Sequence, residues 1–423
     1  MILYIVPLLY VLLNIKRKSI SFYLFTLYTI TIFVGLLIGK TVVINDIKDL
    51  FNVIYLLLVF FIIYHSFSRF KNVKYIEDIP HNKQVDFFLK TILYIGMFCF
   101  VMNLYTGISA FSNVFSNDIQ INDYKNGSDE NGEYVNSLMN RSLLSIVRTL
   151  SPLSYLAMGL HFYYLNKGDI KKAILYFFPA TNILLVSMWS LSRSSFVEFG
   201  FVYLFYLLLL SPSFSKELKR SMKKYIIVVG GGIFVLFVVM TTNRFGDMVF
   251  YDSESKIKDP IVYSLIIYAS QSHWNSVKLL HSYNGFNGIE LKPSLALYNN
   301  IVDRLTGSHQ LLRALEEKDM KFGSLFASFT SGPSNLVYEF GYFGSFLFWI
   351  LIFYIVRRLS PRDGKISFVS LLLYCPLIDL ISTSYMGNRL YLPLFHIGCV
   401  YVIIFSLIIS FTKNKSEKAQ LLN

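Results

Sequence analysis

Cysteine is scarce in this chain of 423 residues, and Cys99, Cys375 and Cys399 each fall inside an apolar run. None has C-x-x-C spacing or a loop histidine nearby, which excludes a disulfide framework or a cysteine metal site as the organising feature. Charge is short as well: 15% of residues are Asp, Glu, Lys or Arg against 54% hydrophobic, a balance that excludes a soluble globule of this length. The chain also lacks a basic segment ahead of its first apolar stretch. Ile2 to Asn14 carries its positive charges after the hydrophobic run, the reverse of a secretory signal, and is expected to be retained. No repeat of fixed period is present. The Gly230, Gly231, Gly232 run has neither the following Lys nor the water-exposed helix start of a phosphate loop, and is expected to let a neighbouring helix pack closely.

What the chain has in quantity is hydrophobic runs of bilayer-spanning length. A helix rises about 1.5 Å per residue, so about twenty apolar residues cross a hydrocarbon core of about 30 Å. Spans are expected at Ile20–Gly39, Leu50–Phe67, Phe87–Tyr105, Ser145–Leu165, Ala173–Leu191, Phe196–Leu210, Tyr225–Thr241, Ser334–Val356, Ile366–Tyr385 and Tyr391–Phe411. Ile2–Asn14 makes an eleventh, or lies in the interface because it is short. The fold expected is all-α: one integral membrane domain over residues 1–423, a polytopic bundle of about 10–12 spans.

The formal net charge of +13 would point to nucleic acid in a soluble protein, so its placement decides the matter. The basic residues sit in short clusters between hydrophobic runs, at Lys16–Lys18, Arg69–Lys74, Lys167–Lys172, Lys216–Lys224, Arg357–Lys365 and Lys413–Lys418. An even number of crossings separates each from the next, so all six can be cytoplasmic, as can the C-terminus. No nucleic-acid partner is expected. Residues 106–144, with Asp118, Asp123, Asp129, Glu130 and Glu133, then form a smaller outer loop, and residues 242–333 a large one. Within the large loop, Ile261 to Leu280 is too polar for a lipid-facing span and is expected to be an amphipathic helix on the outer surface.

This topology puts several isolated charges at the outer boundary. Arg193 occupies a Ser-Arg-Ser corner, Arg244 follows a span in Asn243-Arg244-Phe245-Gly246-Asp247, and Arg389 sits in the corner Gly387-Asn388-Arg389. Three outward arginines oppose the cytoplasmic bias, and guanidinium grips phosphate bidentately while keeping its charge. For Arg193 alone, snorkelling to the headgroups is the competing reading. In the large loop, Arg304 and Arg313 would lie on opposite faces of an unbroken helix, so an interruption at Gly307 is needed for both to reach one ligand. His309 is a candidate acid or base, with a surface hydrogen-bonding role as the alternative, and His273 and His281 are weaker candidates. Glu339 lies about a turn and a half inside an apolar helix, a costly position that requires a partner cation or a job. Gly341 and Gly344 would let a helix or lipid chain approach. Arg148 and Asp379 are further charges within spans, for which pairing or lining a polar cavity stands beside a functional role. No metal cluster is visible, so neither a metal nor another cofactor is expected.

The Ser-Arg-Ser corner at Arg193, the large late loop and the Glu-Phe-Gly-x-x-Gly stretch at Glu339–Gly344, within ten to twelve spans, resemble the O-antigen and oligosaccharide repeat-unit polymerases of bacterial envelopes. The likeness covers most of the chain by architecture and only short motifs by residue. Members of that family often carry an Arg and a Gly eleven residues apart in outward loops, and neither Arg304 nor Arg313 has that Gly. The resemblance implies a glycosyltransferase at the outer face of the bacterial plasma membrane. It would transfer a growing chain from polyprenyl diphosphate to the terminal hydroxyl of a new lipid-linked repeat unit, with lipid, a flippase and a chain-length regulator as partners. Arg193 with Arg244 or Arg389 would hold the diphosphate, Arg304 or Arg313 would add to the grip, and Glu339 or His309 would act as base or orient it. Trp274, Tyr283 and Phe286 could stack on sugars, with packing as the alternative. An O-antigen ligase and a lipid-linked oligosaccharide flippase are the competing classes.

Overall fold

The computed structural model describes residues 2–39, 41–71, 73–80, 82–116, 141–188, 194–245, 257, 259–283, 293–308, 313 and 330–421. Helices run over α1 (Ile2–Asn14), α2 (Ile20–Leu36), α3 (Ile47–His65), α4 (Lys83–Ser116), α5 (Arg141–Leu150), α6 (Ser154–Asn166), α7 (Ile170–Ala180) and α8 (Asn182–Leu185). They continue as α9 (Ser194–Leu210), α10 (Lys216–Phe245), α11 (Pro260–His281), α12 (Ala296–Thr306), α13 (Gly332–Leu359), α14 (Phe368–Ser382) and α15 (Pro393–Leu421). Two short strands, Tyr75–Ile76 and Lys365–Ile366, pair in parallel. Among the described residues, six helical stretches are long and apolar enough to cross a membrane: Ile47–Arg69, Lys83–Ser112, Ser142–Asn166, Ser195–Ser213, Gly332–Leu359 and Pro393–Lys413. Shorter apolar helices occupy Ile5–Asn14, Ile20–Leu36 and Phe368–Ser382. The protein is an all-helical membrane protein.

Several expected boundaries move. The span expected at Phe87–Tyr105 is part of the longer α4, so residues 106–116 of the smaller outer loop are helical, and α5 already begins at Arg141. Residues 117–140, which carry the loop's acidic residues, lie outside the described residues. The span expected at Ala173–Leu191 is broken into α7, α8 and a 3-10 turn. Pro179 lacks the N–H that would continue the ladder, and Thr181 caps the interruption by donating its hydroxyl to Phe178 O at 2.6 Å. Among the described residues, a Cβ built on Gly230, Gly231 or Gly232 meets nothing within 4 Å.

Contacts group the chain into two compact units. Unit 1 comprises residues 1–71, 248–361 and 379–396. Its α2–α3 hairpin is zipped by aromatic pairs, Tyr28 with Phe60 and Tyr64 and Phe25 with Phe61, and the Tyr10 ring of α1 packs tilted against Phe25 with centroids 3.8 Å apart. Unit 2 comprises residues 72–247, 362–378 and 397–423. There Tyr206 of α9 donates to Leu371 O of α14 at 2.6 Å, and Tyr176 of α7 donates to Leu89 O of α4 at 2.9 Å, each satisfying a buried phenol.

Helix α11 corrects the expectation of a surface helix. One end packs by Tyr263 against Ile38 and the other by His281 against Asp49, so both ends meet the loop end of the α2–α3 hairpin. Its polar residues face inward: Ser270, Ser272, His273, Asn275 and Ser276 are all buried. His273 Nε2 pairs with Thr31 Oγ1 at 2.9 Å, and Ser276 Oγ donates to Ser331 Oγ at 2.9 Å. Burial lowers the His273 pKa to about 3, which keeps the ring neutral at physiological pH.

Candidate functional site

Helix α13 starts with a serine cap and a proline: Ser331 Oγ accepts from Ser334 N, and Pro333 occupies the first turn, where its missing N–H costs nothing. Gly332 N donates to Ser384 O at 2.6 Å, and a Cβ on Gly332 would lie 3.2 Å from Gly387 O. That close backbone approach seats the start of α13 against the segment between α14 and α15. From Gly332 to Glu339 every residue is buried. At Gly341 the backbone leaves the helix, with φ 70° and ψ 172°. This splits α13 into an enclosed first part and a second part from Tyr342 to Leu359 of about 27 Å, near the length that crosses the hydrocarbon.

Glu339 is the last buried residue before that break, with no exposed surface. Its Oε2 accepts from Ser294 N at 3.0 Å and from Ser294 Oγ at 2.5 Å. Ser294 belongs to the 3-10 turn Pro293–Leu295, which packs against a second 3-10 turn, Arg389–Tyr391. Asn388 caps the second turn by accepting from Leu390 N at 3.1 Å. The Tyr391 phenol is buried beside the Glu339 carboxyl; burial, then the neighbouring carboxylate, push its pKa well above the ordinary range, so it stays protonated. Arg389 Nε lies 3.3 Å from Asp379 Oδ1, with the side chains 12% and 2% exposed. The Asp379–Arg389 pair and the Glu339–Tyr391–Ser294 group therefore meet through one short turn.

Of the residues predicted from sequence, Glu339 and Arg389 are placed on converging elements of unit 1, and Asp379 is the partner of Arg389. Arg193, His309 and Phe286 lie outside the described residues. Arg244 is in the last turn of α10 and Arg304 in α12, and their side chains also lie outside the described residues. Arg313 is exposed. The interruption at Gly307 is present: α12 ends at Thr306 and Gly307 takes a left-handed conformation with φ 65°. Tyr283 packs edge-on against Tyr338 and Tyr342 at 5.2 and 5.5 Å, and Trp274 packs against the Ile38–Tyr263–Ile266 cluster. Gly344 faces its own Phe340, whose Cβ would lie 2.7 Å from an added Cβ, so the approach it permits is within α13 itself.

Sequence reasoning missed Ser294 and Tyr391. Serine in a loop and tyrosine at a span boundary are too common to signal anything until the fold brings them to a buried carboxyl. Among the described residues, one group of three metal-capable side chains also assembles, Asp46, Asp49 and His281. No protein-family model, curated protein or solved structure matches this chain.

Proposed function

We propose that the protein polymerises lipid-linked oligosaccharide repeat units at the outer face of a bacterial plasma membrane, as part of a bundle of about 10–12 spans. The observation that carries this reading is the enclosed Glu339 carboxyl, held by Ser294 and flanked by Tyr391, next to the Asp379–Arg389 pair. In the reaction, the hydroxyl of the acceptor unit attacks the anomeric carbon of the chain on polyprenyl diphosphate. The new glycosidic bond forms as the bond to the diphosphate oxygen breaks, and the hydroxyl proton goes to a base. Glu339 or His309 is that base. Arg193 with Arg244 or Arg389, aided by Arg304 or Arg313, holds the diphosphate as its charge grows. Donors of this kind are commonly worth about 3 to 4 kcal/mol each. Asp379 orients Arg389 toward that task.

A second reading, a transporter of lipid-linked oligosaccharide, is favoured by one observation: α13 is discontinuous at Gly341, directly after a buried carboxyl. Broken helices beside buried charges are a recurrent design for transport sites. Deletion followed by gel analysis of surface glycan separates these classes. Loss of a polymerase leaves a lipid anchor bearing one repeat unit, loss of a ligase leaves none attached, and loss of a flippase strands the unit inside the cell. An Arg193→Ala variant that polymerised at the wild-type rate in membranes would remove the diphosphate assignment.

A further inference from the structure

We propose that Asp46, Asp49 and His281 form a binding site for a zinc-class divalent transition-metal ion. The site is independent of the polymerase reading. It lies where the start of α3 meets the end of α11, and it joins residues 232 positions apart in sequence.

The two carboxylates are oriented before any ion arrives, because each spends one oxygen on a backbone amide. Asp46 Oδ1 accepts from Asp49 N at 2.8 Å, and Asp49 Oδ2 accepts from Asn45 N at 2.9 Å. Their other oxygens converge on one imidazole nitrogen: Asp49 Oδ1 is 2.7 Å and Asp46 Oδ2 3.8 Å from His281 Nδ1. All three ligand atoms lie within 4.8 Å of one another. Around a tetrahedral zinc the ligand atoms stand about 3.3 Å apart, so binding widens one of these separations and narrows the other by about half an ångström. Backbone bonds that fix carboxylate direction are the outer-shell support such sites use.

A His with two carboxylates suits zinc, cobalt or manganese and not the all-oxygen cages of calcium and magnesium. Two of the three side chains are accessible, with Asp46 and His281 each 46% exposed and Asp49 3%. Asp49 and His281 also wall a pocket of about 460 Å³ with Trp274 and Lys278, which leaves a fourth position open to water or a ligand. Lys48 directs its ammonium to His281 O at 2.5 Å, on the backbone side of the residue. The bland alternative is a capping carboxylate hydrogen-bonded to a histidine. The two differ in whether Nδ1 carries a proton or a metal.

The test uses the full-length protein in detergent, stripped of metal and titrated with Zn²⁺ by calorimetry and with Co²⁺ by visible absorption. The proposal expects one saturable site per chain, with no competition from excess Mg²⁺ or Ca²⁺. Asp46→Asn, which keeps the helix cap, and His281→Gln should each weaken binding by about tenfold or more. Helix content and elution volume, measured on each variant, establish that it is folded. No saturable site, or equal affinity in the wild type and a folded Asp46→Asn variant, overturns the assignment.

Discussion

A carboxyl group withdrawn wholly from solvent is costly unless donors meet it, and Glu339 is supplied by Ser294 N and Ser294 Oγ. Glu339→Ala strands those donors, and a lost buried partner costs about 1–3 kcal/mol, measurable as a lower Tm in detergent. Glu339→Gln keeps an acceptor oxygen and should fold, yet polymerisation in membranes should fall by about 100-fold if the carboxylate is the base. The Asp379–Arg389 pair is tested differently. Arg389→Met removes the cation facing a buried acid and should destabilise by about 3–5 kcal/mol, and adding Asp379→Asn should recover most of that loss. Equal stability of the single and double variants would show that the pair is uncoupled. In unit 2, hydrogen bonds from Lys167, whose ammonium is at 2.6 Å, and then Tyr75 hold the Asp78 carboxyl below its ordinary range. A depressed folded pKa lends stability above the unfolded value, and that stability is lost as pH falls through the folded value. Lys167→Met should therefore flatten the acid side of the Tm profile and leave its shape near neutrality unchanged.

At the scale of elements, α13 is not one continuous helix. Gly341 adopts φ 70° and ψ 172°, a region open in practice to glycine alone, and the break separates the enclosed segment bearing Glu339 from the second part of the helix. Gly341→Ala should cost about 1–3 kcal/mol, and any variant that folds should have shifted Glu339 from Ser294 and lost activity beyond what its stability explains. Gly398 in α15 matters for another reason. A Cβ there would lie 2.5 Å from the ring of Tyr155 in α6, which cannot yield as a flexible chain end would. Gly398→Ala should lower Tm by overpacking of about 1–3 kcal/mol, whereas Gly231→Ala in α10, where nothing lies within 4 Å, should not lower it.

For the whole molecule, the charge rule makes a prediction about sidedness. Labelling is read in a Cys399→Ser background, because Cys99 and Cys375 are buried whereas Cys399 is only half-buried. Lys172→Cys should react only with permeant reagent and Leu305→Cys with impermeant reagent in intact cells. Labelling of both positions from the same side would break the topology on which the proposed outer-face site depends.

The sequence alone determined that this is a helical membrane protein, because twenty-residue apolar runs and basic clusters between them are local signals. It also singled out Glu339, since a carboxylate in an apolar run is anomalous without any knowledge of its neighbours. Breaks within runs were less legible: Pro179 signals one, but Gly341 reads as a packing glycine until its backbone angles are known. The inward turn of α11 was hidden, because periodicity shows that a helix has a polar face and says nothing of what that face meets. Only the tertiary structure decided which residues meet: Ser294 and Tyr391 with Glu339, Arg389 with Asp379, and His281 with Asp46 and Asp49. The physical reason is one of range. Hydrophobic length and charge bias are properties of contiguous sequence, whereas a buried polar site is assembled from short turns whose positions follow from how the helices between them pack.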